Sequence, residues 1–162
     1  MQRVIKKTLY METTKIPVGK TVAQIQNILG EYGACAVMSE YENGEVKAIC
    51  FKVLFLDREL PFRLPCKHEP IFNRLMSKVK KARENTEIEL LDQSKRVAWR
   101  QILKWVEAQM ALIDTEMVKV QEVFLPYIQV GIDGETFYQK LENKGFKALP
   151  YSGKDQVHAQ HE

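Results

Sequence analysis

The chain has 162 residues, 45% of them apolar and 28% charged, values ordinary for a folded globular protein and contrary to disorder. That length buries a substantial core without disulfide or metal staples, and no run approaches the roughly 18 apolar residues of a membrane helix. The net charge of +3 is too small by itself to indicate a polyanionic partner.

In chain order, Arg3, Lys6 and Lys7 are not followed by an apolar stretch, so no secretory signal is expected. Leu9 to Val18 is rich in Thr and reads as an extended segment or extra edge strand over 9–18, with Pro17 suited to a strand that gives no N–H to a ladder. Thr21 offers a helix N-cap. Val22, Ile25, Ile28 and Leu29 recur on one helical face, and Gly33 supplies the stop.

Three strands are expected next. Ala34 to Tyr41 is apolar and leads into Asn43-Gly44, the two-residue signature of a hairpin in which both central residues take positive φ. Ile49, Phe51, Val53 and Phe55 then share one face, Asp57-Arg58 makes a second reversal, and Leu60, Phe62 and Leu64 alternate with polar positions or proline. The result is an antiparallel meander with one dry face, which the first helix must cover.

From Pro70 onward the period becomes helical. Phe72, Leu75, Met76 and Val79 mark one helix, and a polar stretch from Arg83 to Thr86 interrupts it. Leu91, Ala98, Ile102, Trp105, Val106, Gln109 and Ile113 then trace a long helix from Glu87 to about Thr115. Further helices are expected over Val118–Tyr127 and Glu135–Asn143, with Gly145 as cap. The fold class is therefore α+β: an N-terminal helix on a three-stranded antiparallel meander, followed by a helical half with one long helix. One domain spans 1–150, its sheet half about 9–65 and its helical half about 70–149, ahead of a polar tail over 151–162 that is expected to be flexible.

Four stretches together resemble a family of small proteins without an assigned activity, recurrent in phages, prophages and their bacterial hosts. They are Glu31-Tyr32-Gly33-Ala34, Pro61-Phe62-Arg63-Leu64-Pro65, Ala98-Trp99-Arg100 and Glu122-Val123-Phe124-Leu125-Pro126-Tyr127. The likeness covers roughly residues 12–130, and it implies a viral or mobile-element setting without supplying functional residues. Relatives often carry Gly and Thr or Ser where this chain has Glu116 and Lys119.

Charge is unevenly distributed: residues 67–104 carry ten basic and five acidic side chains, residues 105–162 five and nine. In the basic region Arg96, Arg100 and Lys104 recur every fourth residue, with Lys95 and Trp99 beside them, and Lys78, Lys80, Lys81 and Arg83 form a cluster upstream. Such a surface would neutralise phosphates and release counterions, with Trp99 stacking on a base. The bland alternative is a solvated helix face whose cations pair with Glu84, Glu87 or Asp92, with Trp99 in the core.

Other chemistry is sparse. Cys35, Cys50 and Cys66 are odd in number and lack metal-ligand spacing; Cys35 and Cys50 fall in strands as small apolar groups, and a reducing compartment, the host cytoplasm, suits them. Cys66-Lys67-His68 pairs a thiol and an imidazole without a third orienting group, and His158 and His161 sit in the polar tail. Glu107, Asp114, Glu116 and Glu122 are scattered, and no glycine-rich phosphate loop, G-x-S-x-G or H-E-x-x-H is present. No metal or cofactor is expected. The function expected is a non-enzymatic accessory protein of a phage or mobile element that binds DNA or RNA through Lys78, Lys80, Lys81, Arg83, Arg96, Trp99, Arg100 and Lys104. Two alternatives stand beside it: a protein-interaction module acting on a host enzyme, and a binder of a small anionic nucleotide in a pocket between sheet and helices. Met110, Met117, Val118 and Val120 widen the apolar arc enough to suggest a homodimer through the helical half.

Overall fold

A computed structural model describes residues 8–81, 83–131, 133–147 and 149. The basic N-terminal residues and the polar tail with His158 and His161 lie outside these. The expected order holds: α1 (Val18–Glu31), β1 (Ala34–Glu42), β2 (Glu45–Phe55), β3 (Arg58–Pro65), α2 (Glu69–Met76), α3 (Glu84–Asp114), α4 (Val120–Phe124), a 3-10 turn (Leu125–Tyr127) and α5 (Phe137–Asn143).

The three strands form an antiparallel meander in the order β1-β2-β3. Asn43 and Gly44 both take positive φ, 52° and 78°, as the first hairpin requires. The second reversal falls one residue earlier than expected. Leu56 and Asp57 occupy it with φ of 46° and 60°, and Arg58 already pairs with Phe55 in the ladder. Phe55 is consequently at the exposed tip rather than on the dry face.

On the dry face the register aligns Ile49 with Leu64 and Phe51 with Phe62, and the two phenyl rings stack at 4.9 Å. Val22, Ile25 and Leu29 of α1 and Trp99, Leu103, Val106 and Met110 of α3 close over it. Phe124 completes the core, its ring edge-on to Phe51, Phe62 and Trp105 at 5.4, 6.0 and 5.3 Å. The opposite face is not simply wet. Glu40 of β1 and Arg63 of β3 reach across the central strand in a two-pronged ion pair, at 2.8 and 2.7 Å, and Ala48 and Cys50 are buried on that strand.

Two local readings are corrected. Residues 9–17 form no strand: Glu12 N–H bonds back to Leu9 carbonyl, and Met11 turns the chain at positive φ. The segment lies along α3, where Gln93 donates to the carbonyls of Glu12 and Thr14 and Gln101 donates to that of Tyr10. Thr21 is not the cap of α1, which starts at Val18 behind Pro17; Thr21 is buried within its first turn.

Helix ends follow their residues. Gly33 and Gly145 take positive φ just past α1 and α5, as expected. The same left-handed position after α3 is held by Glu116 at φ 58°, whose N–H reaches Ile113 carbonyl while that of Met117 reaches Leu112 carbonyl. Lys119 then stands at the N-cap of α4 with no side-chain oxygen to offer.

Beyond the 3-10 turn the chain returns to the open side of β3. Gln129 N–H donates to Pro61 carbonyl, and a tight loop brings Thr136 back against Gln129. That return sets α5 beside the end of β3. Of the apolar surplus noted on the helical half, Met110 joins the core and Met117 is exposed.

Candidate functional site

The basic row of α3 dissolves into separate neighbourhoods. Trp99 is 1% exposed and packed among α1, the sheet and α3 neighbours, so it is a core residue and has no face for a base. Arg100 is 9% exposed; it faces α1, where its Nη1 donates to Gln24 Oε1 at 2.8 Å. Arg96 gives both Nε and Nη2 to Gln93 Oε1, the amide that also holds residues 12–14. Lys104 is clasped by Glu107 one turn on, at 2.6 Å. Lys95 pairs with Glu45 of β2.

The reason is the width of the buried arc. A helix packed on a single partner buries one stripe, whereas α3 lies between α1, α2 and the aromatic cluster of Phe124. Its buried set, Ser94, Val97, Ala98, Trp99, Arg100, Leu103, Val106 and Met110, therefore extends into positions that carry the cationic period.

The upstream cluster divides too. Lys78 is bound by Glu12, and the Lys78 ammonium holds the Glu12 carboxyl below the usual range. Lys80, Lys81 and Arg83 are exposed in the connection before α3, with no ion pair among the described residues. Of the eight residues proposed for a phosphate surface, these three are solvent-facing and unneutralised.

The thiol–imidazole pair brings no nucleophile. Cys66 is buried, and desolvation pushes its thiol up to about 12. His68 instead faces Ser94 Oγ through Nδ1 and Glu69 through Nε2, at 3.4 and 3.8 Å. Cys50 is also buried, its thiol raised by desolvation and by the neighbouring Glu40 carboxylate. Cys35, expected to pack as a small apolar group, is exposed on edge strand β1. Among the described residues no group of three His, Cys, Asp or Glu side chains could hold a metal ion, and no helix is long and apolar enough to cross a membrane.

A concave feature lies on the other side of α3. A cleft of about 470 Å³ opens between the end of β3, α2, α3, the 3-10 turn and α5. That volume lies within the range of small-molecule sites. Ile71, Ile102 and the rings of Trp105, Tyr127 and Tyr138 contribute its apolar lining. Trp105 is fixed by Phe124 and Tyr127, with the Tyr127 ring at 5.5 Å.

Besides the tyrosines, four polar side chains join them: Lys67, Gln101, Thr136 and Gln139. Gln139 Oε1 accepts the Thr136 N–H at 2.9 Å, which leaves its amide nitrogen as donor. Lys67 is exposed and has no ion pair among the described residues.

The chain matches no family model, no curated protein and no solved structure. A pocket between sheet and helices was among the expectations, but its residues were not legible, because Ala98, Ile102 and Trp105 have the spacing of an ordinary core stripe. What distinguishes Trp105 is its aromatic company from α4 and the 3-10 turn, and that is a tertiary fact.

Proposed function

We propose that the chain is a non-enzymatic binding domain that takes a flat, apolar group carrying an anionic end, nucleotides included, in the cleft beside Trp105. The observation that carries this is the lining itself: aromatic walls with a small set of donors among them, in a volume suited to one small molecule. Trp105, Tyr127 and Tyr138 would contact the flat group. Lys67 would attract the anion, and the Gln139 amide, with the one Gln101 N–H not given to the Tyr10 carbonyl, would orient it. Among the described residues nothing in the cleft forms a nucleophile–base pair, and the nearby thiol of Cys66 is held protonated. The resemblance of the sequence to phage-borne proteins favours a mobile-element accessory role for such a domain.

A ligand specific for the native state must raise apparent stability. Thermal unfolding against nucleoside mono- and diphosphates and aromatic carboxylates is therefore the test. A stabilising ligand should lose its effect in Ile102→Trp, which fills the cleft, and anionic members should lose theirs in Lys67→Glu. A panel without any stabilising member contradicts the proposal.

A second reading, contact with DNA or RNA, has a narrower basis than the sequence suggested: the exposed run of Lys80, Lys81 and Arg83 before α3. Its mark would be retention that falls steeply with salt and disappears when all three are replaced by Glu.

A further inference from the structure

Arg100 is anomalous as a buried cation. Its guanidinium is closed to solvent at Nε, which has no hydrogen-bond acceptor, and Nη1 donates to the neutral amide of Gln24. No carboxylate stands within ion-pair distance of it among the described residues. A buried charge is ordinarily paired, because desolvation is otherwise uncompensated. The surface beside it, where α1 packs on α3, is rich in donors. Gln24 has committed its carbonyl oxygen to Arg100, which leaves its amide nitrogen as a donor. Lys20 lies one turn earlier on the same face of α1, exposed and without an ion pair among the described residues. On α3, the flanking Arg96 is held by a neutral amide and adds positive field.

A guanidinium, a primary amide N–H and an ammonium drawn from two helices make a set that donates and does not accept. Its complement is an anion with several acceptor oxygens at tetrahedral angles. We infer that the surface where α1 meets α3 is a phosphate site, with Arg100 as its anchor and Gln24 and Lys20 as its outer donors. This is distinct from the cleft beside Trp105, on a different face of α3, and it stands if the cleft proves empty of function.

The test uses the full chain and inorganic phosphate. Melting temperature is followed in sodium phosphate and in sodium chloride of equal ionic strength, for the wild type, Gln24→Glu and Arg100→Gln. The wild type should rise by about 5–10 °C when phosphate exceeds its dissociation constant a hundredfold. Gln24→Glu sits at an exposed helical position and places a carboxylate where the anion would be. It should be more stable than wild type in chloride and indifferent to phosphate, and the comparison between the two proteins cancels the general salting effect of phosphate. Arg100→Gln should also lose the response if it folds. A labelled 20-nucleotide single strand forms a separate arm. Retention abolished by Gln24→Glu assigns the phosphate to a nucleic-acid backbone, and a phosphate response without retention assigns it to a free or small-molecule phosphate; both support the site. A wild-type response no greater than that of Gln24→Glu overturns it.

Discussion

Replacing Glu116 by Gly and Lys119 by Ser should stabilise the protein, and the junction between α3 and α4 says by how much. Glu116 is a residue with a Cβ held at φ 58°, in the left-handed position that closes a Schellman motif. Left-handed backbone costs an L-residue roughly 1–2 kcal/mol, and the freedom that glycine loses on folding returns about 0.5–1 kcal/mol of that. The net gain is about 0.5–1 kcal/mol, helped slightly by removing an acid from a helix C-terminus. Lys119 occupies an N-cap from which no side-chain oxygen reaches the first turn; its backbone N–H alone is served, by Glu122 at 3.4 Å. Serine there contributes about 1 kcal/mol and also removes a cation from a helix N-terminus. Together the two changes should add about 1.5–2 kcal/mol, equivalent to about 3–8 °C in melting temperature for a chain of this size. Urea and thermal unfolding followed by circular dichroism measure both. A loss of stability in Glu116→Gly, or no gain in Lys119→Ser, would mean that α3 does not end in the manner described.

Three further outcomes follow from the core and the titrating groups. Phe124→Ala removes a fully buried ring that touches three other aromatics and should cost about 3–5 kcal/mol in urea unfolding; a loss below about 1 kcal/mol would place α4 outside the core. Of the three cysteines, Cys35 alone should react rapidly with a thiol reagent at pH 8 in the folded protein, because Cys35 is exposed while burial raises the thiols of Cys50 and Cys66. Three fast thiols would contradict that packing. The Arg63 guanidinium bonded to Glu40 holds its carboxyl below the ordinary value, as Lys95 does for Glu45. A folded-state pKa below the unfolded one stabilises the protein above the unfolded value near 4.3, and that contribution drains as pH falls through the lower folded value. Acid unfolding of Glu40→Gln should therefore show a shallower slope below about pH 4 than wild type, and an unchanged slope would refute the pairing.

The parts of the fold legible in the sequence are those fixed by short-range chemistry. Asn43-Gly44 places a turn because those residues tolerate positive φ, and the alternation of Leu60, Phe62 and Leu64 sets the face of β3. Even here a neighbour overrode the pattern: Leu56, with no preference for a left-handed turn, takes one because the ladder already pairs Arg58 with Phe55. Residues 9–17 carry strand-forming side chains but find their hydrogen bonds on α3, through Gln93 and Gln101. No local preference announces that.

The candidate sites were less legible, since they depend on what α3 meets. The spacing of Arg96, Arg100 and Lys104 does place them along one side of the helix. It does not say that Gln93, Gln24 and Glu107 occupy them, or that Trp99, next to Arg100, turns inward. The cleft has the opposite problem. Trp105 and Ile102 have core spacing, and only the approach of Tyr127 and Tyr138 from later in the chain turns that stretch of surface into a wall.

The central claim is that recognition belongs to the cleft at Trp105 and not to an exposed cationic face on α3. Its most direct test is the pair of indole N–H signals in a proton–nitrogen NMR spectrum, since the chain has two tryptophans on opposite sides of this distinction. Titration with a ligand that raises the melting temperature should shift the Trp105 signal together with the backbone amides of Lys67 and Gln101, and leave the Trp99 signal in place. Shifts confined to residues 80–83, with the Trp105 indole unmoved, would contradict the account.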